Sequence, residues 1–273
     1  FFSLQYYQKV LEDSVEVSPT DLAAKQVHSH LGRVYNYYVD TFGRKSYDGN
    51  DSRIIAVVHL GNGVRAFWSS ELNFIAYGDG DGKKYKDLTT SFDVTAHELT
   101  HALTASTAKL LNAAESGALS ESYSDFFAKM MDCNPTCQNW DVGRGVMVNQ
   151  RAQRNMENPL EFGQPDHNES SLKASIDGAC HIGNDNCGVH QNSGIPNRAA
   201  ALIVKGIGKE KAEILYFNTL TQRITQTSTF AEARQATEAA CTEIFGKDSL
   251  ECKIVSQAFD TVKIYANFDS SKF

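Results

Sequence analysis

The pattern His97-Glu98-Leu99-Thr100-His101 constrains this chain more than any other feature of its 273 residues. If residues 92–111 form a helix, His97 and His101 are one turn apart, and their rings project from the same face. At that separation two imidazoles can share one tetrahedral Zn²⁺, with a carboxylate as the third ligand and water as the fourth. Glu98 lies about 100° round the helix, so it can reach that water but not the metal. The alternative is a pair of histidines on a wet surface.

The residues around this pattern argue against a solvated surface. Glu98 is the only formally charged residue between Val94 and Ala108, whereas an exposed helix face normally carries several charges. Apolar side chains cluster on the side opposite the histidines, namely Phe92, Ala96, Leu99, Leu103 and Leu110. We therefore expect a helix that is covered on both sides. Covered histidines need bonding partners, which favours a metal site.

A second helix, predicted over Ser116–Asp132, supplies the missing ligand. On it Glu121, Asp125 and Asp132 fall on one stripe, and apolar residues occupy the other side, namely Leu119, Tyr123, Phe126 and Met130. An acidic surface face is the simpler interpretation of this stripe. Taken with the preceding helix, however, Glu121 becomes the third zinc ligand. Asp125, one turn further on, can then accept the free ring N–H of a ligand histidine.

These two segments, HELTH and GALSESYSD, resemble the thermolysin-like family of secreted zinc endopeptidases. The resemblance extends through AFW (66–68), YGDGDG (77–82), GVHQNSGI (188–195) and SQAFDTV (256–262), and so covers the chain from about residue 27 to 264. It implies an α+β fold with two lobes and the zinc helix between them. We expect a mixed N-terminal lobe over residues 1–111, shortened at its start, and a mainly helical C-terminal lobe over residues 112–273.

The resemblance also assigns catalytic roles. Glu98 takes the proton of the attacking water and delivers it to the leaving amine, and His190 donates to the oxygen that becomes negatively charged. Asp185 is expected to orient His190, and Arg154 to bind a substrate carbonyl. Without its motif, His190 would be interpreted as a surface histidine in a loop.

The chain departs from the family pattern at two positions. Asn112 stands where the family usually has a tyrosine that donates to the oxyanion. Arg65 replaces an asparagine that binds the substrate backbone just before Ala66. The family positions around the pocket for the residue after the cut are filled by Tyr85, Leu88 and Val94. Because these three are largely apolar, we expect a preference for hydrophobic side chains there.

Oxygen donors at family positions predict one structural calcium ion, held by Asp93, Asp132, Asn139 and Asp141. A solvated acidic surface is the alternative. Arg144 stands where an acidic ligand of a second calcium would be expected, which argues against a second ion. The run of residues 79–82 is not an EF-hand, because Lys84 occupies the position of the turn glycine, so we expect a tight surface loop.

Composition excludes several classes of protein. The chain is 41% hydrophobic and 22% charged, which is an ordinary globular balance and allows one large domain or two lobes. A net charge of −7 without a basic run argues against nucleic-acid binding and attachment to an anionic membrane surface. No apolar run reaches membrane-spanning length. The first residues lack a secretory signal, so we expect a processed or trimmed chain. The predicted protein is a secreted, extracellular monomer that acts on peptides and proteins.

Six cysteines allow 15 pairings. Pairing between neighbours is the natural expectation and implies an oxidising compartment; the pairs would be Cys133/Cys137, Cys180/Cys187 and Cys241/Cys252. A second metal site is a rival interpretation, formed by Cys180, His181, Cys187 and His190.

The remaining elements follow from local patterns. Residues 18–21 predict a turn into a helix over 21–43, and strands are predicted over 54–60, 66–68 and 73–77. Residues 133–188 are expected to be mostly loop, and the chain from Pro196 to be helical. Capping boxes are predicted at Thr229/Glu232 and Asp248/Glu251.

Three other functions compete with an endopeptidase. A zinc-binding protein with weak or lost proteolysis would fit the departures at Asn112 and Arg65. In a structural module without metal, the histidines would be incidental. An aminopeptidase would need an acidic pocket for the substrate's amino terminus, and no such motif is visible.

Overall fold

The computed structural model describes residues 20–133 and 137–266, which contain eight α-helices and five short strands. Two compact units divide these residues. The first comprises residues 20–106, 127–133 and 141–153, and the second comprises residues 107–126, 137–140 and 154–266. A small sheet together with many helices gives the α+β fold that the sequence predicts.

Helix α1 (Leu22–Phe42) opens the first unit. Asp21 caps it, because its side chain accepts the backbone N–H of Ala24 at 3.0 Å. Gly43 ends it in the left-handed conformation with φ of 67°. One buried stripe follows helical spacing, formed by Ala23, Ala24, Val27, Leu31, Val34 and Tyr38. The helix predicted over 21–43 is confirmed, whereas Ser18 and Pro19 of the predicted turn lie outside the described residues.

A three-stranded sheet is formed by β1 (Ala56–Val57), β2 (Ala66–Ser69) and β3 (Phe74–Tyr77), in the order β1-β3-β2. Strand β3 pairs in parallel with β1 and antiparallel with β2, where Ala66 lies opposite Tyr77. Strand β2 is therefore an edge strand. The strand predicted over 54–60 is shorter than expected, because only Ala56 and Val57 keep a register with β3.

The loop that follows β3 is held by one aspartate. Asp81 Oδ1 accepts the backbone N–H groups of Lys83, Lys84 and Tyr85 at 2.9, 2.8 and 2.8 Å. Gly80 has φ of 72°, and a Cβ there would lie 2.2 Å from the Lys86 carbonyl oxygen. The segment is thus the tight loop that the sequence predicts.

Helix α2 (Phe92–Ser106) carries the H-E-x-x-H pattern and is covered on both sides, as expected. Its buried residues lie all round the helix, namely Thr95, Ala96, His97, Glu98, Leu99, Thr100, Ala102, Leu103 and Thr104. The α1 side chain of Tyr38 reaches it, with its hydroxyl 2.8 Å from Thr100 Oγ1. This contact gives the buried Thr100 hydroxyl a partner within the protein.

The predicted end of α2 at residue 111 is wrong. Ser106 Oγ lies 2.8 Å from the Leu103 carbonyl oxygen and 2.6 Å from that of Tyr47, so its hydroxyl competes with helical bonding. Lys109 has φ of 56°, which a right-handed helix cannot contain. Leu110 accordingly lies beyond the helix and not on its apolar face.

Helix α3 (Ala114–Asp132) begins slightly before the predicted Ser116 and contributes residues to both units. The apolar residues predicted to face a core are buried, namely Leu119, Tyr123, Phe126 and Met130. Glu121 and Asp125 are buried as well, whereas Asp132 is exposed. A solvated acidic face is therefore excluded for Glu121 and Asp125.

The segment after α3 is mostly irregular, as predicted. It contains the strands β4 (Asp141–Val142) and β5 (Arg154–Asn155) and 3₁₀ turns at Pro159–Phe162 and Ile182–Asn184. Helix α4 (Asp185–Asn192) follows.

Four further helices complete the second unit: α5 (Gly194–Ile207), α6 (Lys209–Gln222), α7 (Phe230–Phe245) and α8 (Leu250–Thr261). Helix α8 packs on α5 and α7, and α6 packs on both α5 and α7. Thr229 and Glu232 form the predicted capping box of α7. The predicted cap at Asp248 is wrong, because the Ser249 side chain accepts the Cys252 N–H at 3.2 Å and so caps α8.

The cysteines pair as neighbours. Disulfides join Cys180 to Cys187 and Cys241 to Cys252, and Cys133 and Cys137 are also disulfide-bonded. All six cysteines lie among the described residues and none is free, which leaves Cys133 and Cys137 as each other's partner. The rival metal site is thereby contradicted, since the sulfurs of Cys180 and Cys187 are bonded to each other.

Candidate metal centre and active site

The two histidines of α2 point their Nε2 atoms at each other. His97 Nε2 and His101 Nε2 lie 3.0 Å apart, with the rings nearly perpendicular at 82°. This convergence follows from their separation of one helical turn. Two imidazole nitrogens so placed can bind a single metal ion.

Glu121 of α3 supplies a third ligand atom. One ligand atom from each of His97, His101 and Glu121 lies within 4.8 Å of the others. Among the described residues, no other group of three or more His, Cys, Asp or Glu side chains gathers in this way. Because His97 and Glu121 are buried, bulk water would compete little with these side chains for a metal ion bound here.

Glu98 is held by the edge strand of the sheet. The backbone N–H of Trp68 in β2 donates to Glu98 Oε2 at 3.0 Å, and the carboxylate is almost fully buried. Near it, burial raises the pKa of Tyr77 far above its ordinary value, and so this phenol stays neutral. The backbone contact fixes one carboxylate oxygen of Glu98.

His190 is held by Asp185 at both its backbone and its ring. Its Nδ1 lies 2.5 Å from Asp185 Oδ1, and its backbone N–H donates to Asp185 Oδ2 at 2.9 Å. Gln164 Nε2 and Ser193 Oγ both donate to the His190 carbonyl oxygen, at 2.7 and 2.8 Å. The free nitrogen, Nε2, lies 3.6 Å from Glu121 Oε2 and stays accessible to solvent. This ring is thus fixed in orientation with one nitrogen available.

The backbone before His190 explains this placement. Asn186, Cys187 and Gly188 follow one another in the left-handed conformation, with φ of 48°, 65° and 77°. A Cβ at Gly188 would lie 2.4 Å from Ala174 Cβ, so a larger residue does not fit there. The Cys180–Cys187 disulfide anchors the middle of this turn. Together these constraints turn the backbone so that the Asp185 carboxylate lies within hydrogen-bonding distance of His190.

Asp125 and Arg154 form a buried, bidentate ion pair. Arg154 Nε and Nη2 donate to the two Asp125 oxygens, each at 2.6 Å, and Asn197 Nδ2 donates to Oδ2 at 2.9 Å. Asp125 is fully buried, so these contacts compensate a charge removed from water. The roles predicted for Asp125, as partner of a ligand histidine, and for Arg154, as a binder of substrate carbonyls, stay predictions.

The other predicted substrate residues differ in exposure. Arg65 and Asn112 are exposed, and Ala66 begins the edge strand β2. Tyr85 and Val94 are half-buried, and Tyr85 forms an isolated antiparallel bridge with Met147. Leu88 is buried in a 3₁₀ turn, which leaves Tyr85 and Val94 as the accessible members of the predicted pocket.

The calcium site predicted from Asp93, Asp132, Asn139 and Asp141 stays a prediction. The carboxylates of Asp93, Asp132 and Asp141 do not gather within 4.8 Å as the His97, His101 and Glu121 ligand atoms do. Asn139, the fourth expected donor, lies in the irregular segment before β4. Protein N–H groups and cationic side chains contact the oxygens of Asp93, Asp132 and Asp141.

Sequence reasoning missed two residues of this region. Trp68 acts through its backbone N–H, and no side-chain pattern reveals that contact. Asn197 is a buried polar residue on α5, and an isolated asparagine in an apolar helix is the one signal that could have indicated a buried partner.

Two histidines and a glutamate are the protein ligands of a catalytic zinc, since three such ligands leave a fourth position for water or substrate. Both halves of the chain match models of a family with this chemistry. Residues 8–105 match the thermolysin metallopeptidase catalytic domain, and residues 108–264 match the alpha-helical domain of the same family. The chain therefore belongs to the thermolysin metallopeptidase family, a class of zinc metalloendopeptidases.

Individual relatives agree with this assignment. The chain is 38% identical over 248 residues to the neutral protease NprE of Bacillus pumilus, covering 90% of this chain and 78% of that protein. It is 38% identical to bacillolysin of Bacillus subtilis (strain 168) and 36% identical to thermolysin of Alicyclobacillus acidocaldarius, in each case over 90% of this chain. It spans 45% of the bacillolysin and 46% of the thermolysin sequence, less than half of each.

A solved structure supports the fold. The precursor of protealysin, a metalloproteinase from Serratia proteamaculans, superposes with a TM-score of 0.80 at 28% identity, covering 93% of this chain and 82% of that one. The predicted α+β, thermolysin-like fold is thereby confirmed. Within the described residues, no helix is both long and apolar enough to cross a membrane.

Proposed function

We propose that this protein is an extracellular, zinc-dependent endopeptidase that cleaves internal peptide bonds and favours hydrophobic residues after the cut. The observation that carries the proposal is the convergence of His97, His101 and Glu121, with Glu98 beside the two histidines. The membership of the thermolysin metallopeptidase family supports it.

His97, His101 and Glu121 would hold the zinc ion. When bound, zinc supplies a water of lowered pKa and polarises the carbonyl of the scissile bond. Glu98 would accept a proton from the attacking water and later deliver it to the leaving amine. The Trp68 N–H keeps the Glu98 carboxylate in one orientation, so proton transfer needs little reorganisation.

His190 donates a hydrogen bond to the oxygen on which negative charge develops. Its Nδ1 is engaged by Asp185, so donation from Nε2 at the same time requires the imidazolium form. Asp185 is therefore a positioning residue that acts through His190.

Substrate specificity is proposed to come from the residues along the first unit. An extended peptide can pair with the exposed edge of β2 at Ala66, beside Arg65. Tyr85 and Val94, which are half-buried, would present apolar surface to the side chain after the cut, and Leu88 is buried. Arg154 and Asn112 are the remaining proposed substrate contacts. We further propose that the protein acts as a monomer and that its lobes divide near residue 111.

Two observations support the proposal that the protein is secreted: the kind of relatives it has and its disulfide bonds. The Bacillus relatives named neutral protease and bacillolysin are, on this proposal, proteins of the same extracellular type. Three disulfide bonds, which involve all six cysteines, are typical of an oxidising compartment.

Cleavage of N-terminally blocked peptides tests the proposal. A panel that varies the residue after the cut should be cleaved within the peptide, fastest where that residue is Leu or Phe, and cleavage should stop when a chelator removes zinc. Retained zinc without cleavage would instead favour the alternative of a zinc-binding protein with lost proteolysis, which the departures at Asn112 and Arg65 suggest. Cleavage restricted to peptides with a free amino terminus would indicate an aminopeptidase.

A further inference from the structure

A buried lysine lies among the oxygens where the family resemblance places a calcium ion. Lys129 is on α3, and its side chain is only 7% exposed. Its ammonium donates to the Asp141 carbonyl oxygen at 3.3 Å and to Asp132 Oδ2 at 3.5 Å. A buried ammonium needs such partners because it has lost its hydration.

The other carboxylates of this group are bound by donors as well. Asp93 Oδ2 accepts the Gly143 N–H at 2.6 Å, and Asp93 Oδ1 accepts the Val94 N–H at 2.9 Å and the Ser91 hydroxyl. Gly143 has φ of 74°, a conformation in which its N–H can be turned towards Asp93. Each Asp93 oxygen therefore already has a donor from the protein.

The Asp141 carboxylate has a cation beside it. Arg144 Nη2 lies 3.2 Å from Asp141 Oδ2, and Arg144 is the residue that stands where a calcium ligand would be expected. Within one unit of the chain, Lys129 thus contacts Asp132 and the Asp141 carbonyl oxygen, and Arg144 contacts the Asp141 carboxylate.

We infer that the Lys129 ammonium, assisted by Arg144, replaces the structural calcium at this position, so that the first unit is stabilised there without a divalent ion. A calcium ion at the same oxygens would have to displace a buried ammonium and separate these ion pairs. This inference concerns stability and does not depend on the proposed protease activity.

Thermal unfolding of the purified chain tests the inference, in calcium-free buffer and with added calcium, with zinc supplied in both. A calcium site of micromolar affinity would raise Tm by on the order of 10 °C at about a thousandfold excess over its Kd. For the unmodified chain we expect a change below about 1 °C, which is the result of a site already filled by the ammonium.

Substitution of the lysine separates its charge from its bulk. Lys129→Met should lower Tm by several degrees without calcium and should create a calcium-dependent rise, because Asp132 and the Asp141 carbonyl oxygen then lack their buried cation. Lys129→Arg, which keeps the charge, should restore calcium independence. Lys205→Met is the matched control, since Lys205 pairs with Glu157 on the surface, and this variant should behave like the unmodified chain.

Two results would overturn the inference. One is a calcium-dependent rise of about 10 °C in the unmodified chain that Asp132→Asn abolishes. The other is a Lys129→Met variant whose Tm equals that of the unmodified chain in both buffers. Asp132→Asn keeps Lys129 in place, so the first of these tests remains informative even where Lys129→Met fails to fold.

Discussion

The backbone N–H of Trp68 donates to Glu98 Oε2 across 3.0 Å. This contact joins the edge strand β2 to the zinc helix α2 at the residue that we propose as the catalytic base. Glu98 is thereby fixed by a rigid element, so its free oxygen keeps one position relative to the two histidines.

Glu98→Gln should abolish most turnover while leaving the metal bound. Glutamine preserves the size of the side chain and can still accept the Trp68 N–H, but it cannot take a proton at neutral pH. We expect kcat to fall roughly 10²–10⁴-fold, the usual contribution of a general base, with zinc content unchanged. Glu71→Gln, at an exposed glutamate in the β2–β3 turn, is the control and should retain full activity. Near-normal kcat in Glu98→Gln would show that the mechanism is wrong.

His190 should matter more than Asn112 for stabilising the oxyanion. His190 is fixed by Asp185 with its Nε2 available, whereas asparagine is shorter than the tyrosine it replaces. His190→Ala should therefore reduce kcat about 10²–10³-fold, the cost of losing one oxyanion donor. Asn112→Ala should change little, and Asn112→Tyr should raise kcat.

Steady-state kinetics of these three variants decide this prediction. If Asn112→Ala loses as much activity as His190→Ala, the asparagine is itself the donor. An Asp185→Asn variant adds a second check, because Asp185 acts only through the His190 ring that it holds. Its kcat should fall towards that of His190→Ala, with zinc content unchanged.

The Arg154–Asp125 ion pair should contribute strongly to stability. Arg154→Met leaves the fully buried Asp125 carboxylate with the Asn197 amide but without its bidentate cation. Removing one partner of a buried pair typically costs about 3–5 kcal/mol. Arg223→Met removes a more exposed pair with Glu243 and should cost less than about 1 kcal/mol. Denaturant unfolding measures both, and equal losses would contradict the assigned difference in burial.

The contacts of His59, in the first unit, predict that the stability of the protein depends on pH. A hydrogen bond to Asp79 raises the pKa of His59 above its ordinary value of 6.5, with a further contribution from Asp21. Because the folded pKa is raised, this contribution is fully present below pH 6.5 and is lost as the pH rises through the folded pKa. His59 is half-exposed, so the effect should be at most about 1 kcal/mol.

Melting curves across this pH range provide the measurement. The pKa of Asp21 is lowered, chiefly by the Ala24 N–H, so that carboxylate stays ionised throughout the range. As the pH rises from 6 to 8, the Tm of the unmodified chain should fall slightly more than the Tm of His59→Gln. This is the pH range in which His59, with its raised pKa, loses its proton in the folded state. Parallel profiles for the two proteins would contradict the ion-pair assignment.

The part of the site that lies on regular helices could be predicted from the sequence. His97 and His101 are related by one helical turn, and Glu121 lies on a helix whose apolar side was visible from its spacing. The end of α2 could not be predicted, since it depends on the Ser106 hydroxyl meeting the Tyr47 carbonyl, a residue distant in sequence. The cap of α8 was misassigned because Asp248 and Ser249 are adjacent residues of equal capping propensity.

Contacts that depend on tertiary packing were not predictable. The Trp68 N–H and the Asn197 amide act at positions with no periodic signal, and the Lys129 ammonium reaches the Asp141 carbonyl only because α3 packs on the irregular segment that follows it. The calcium site expected from oxygen donors stays a prediction. Their neighbouring cations were visible in the sequence, but the contacts between them were not.

Zinc content, measured by elemental analysis of the purified chain and its ligand variants, tests the central claim most directly. We predict one zinc per chain, retained in the Glu71→Gln control and lost in His101→Ala and in Glu121→Ala, because two ligands no longer hold the ion tightly. The same loss should accompany the disappearance of cleavage of a blocked peptide. A zinc-free chain that still cleaves the peptide, or a His101→Ala variant with the zinc content and activity of the unmodified chain, would contradict the account.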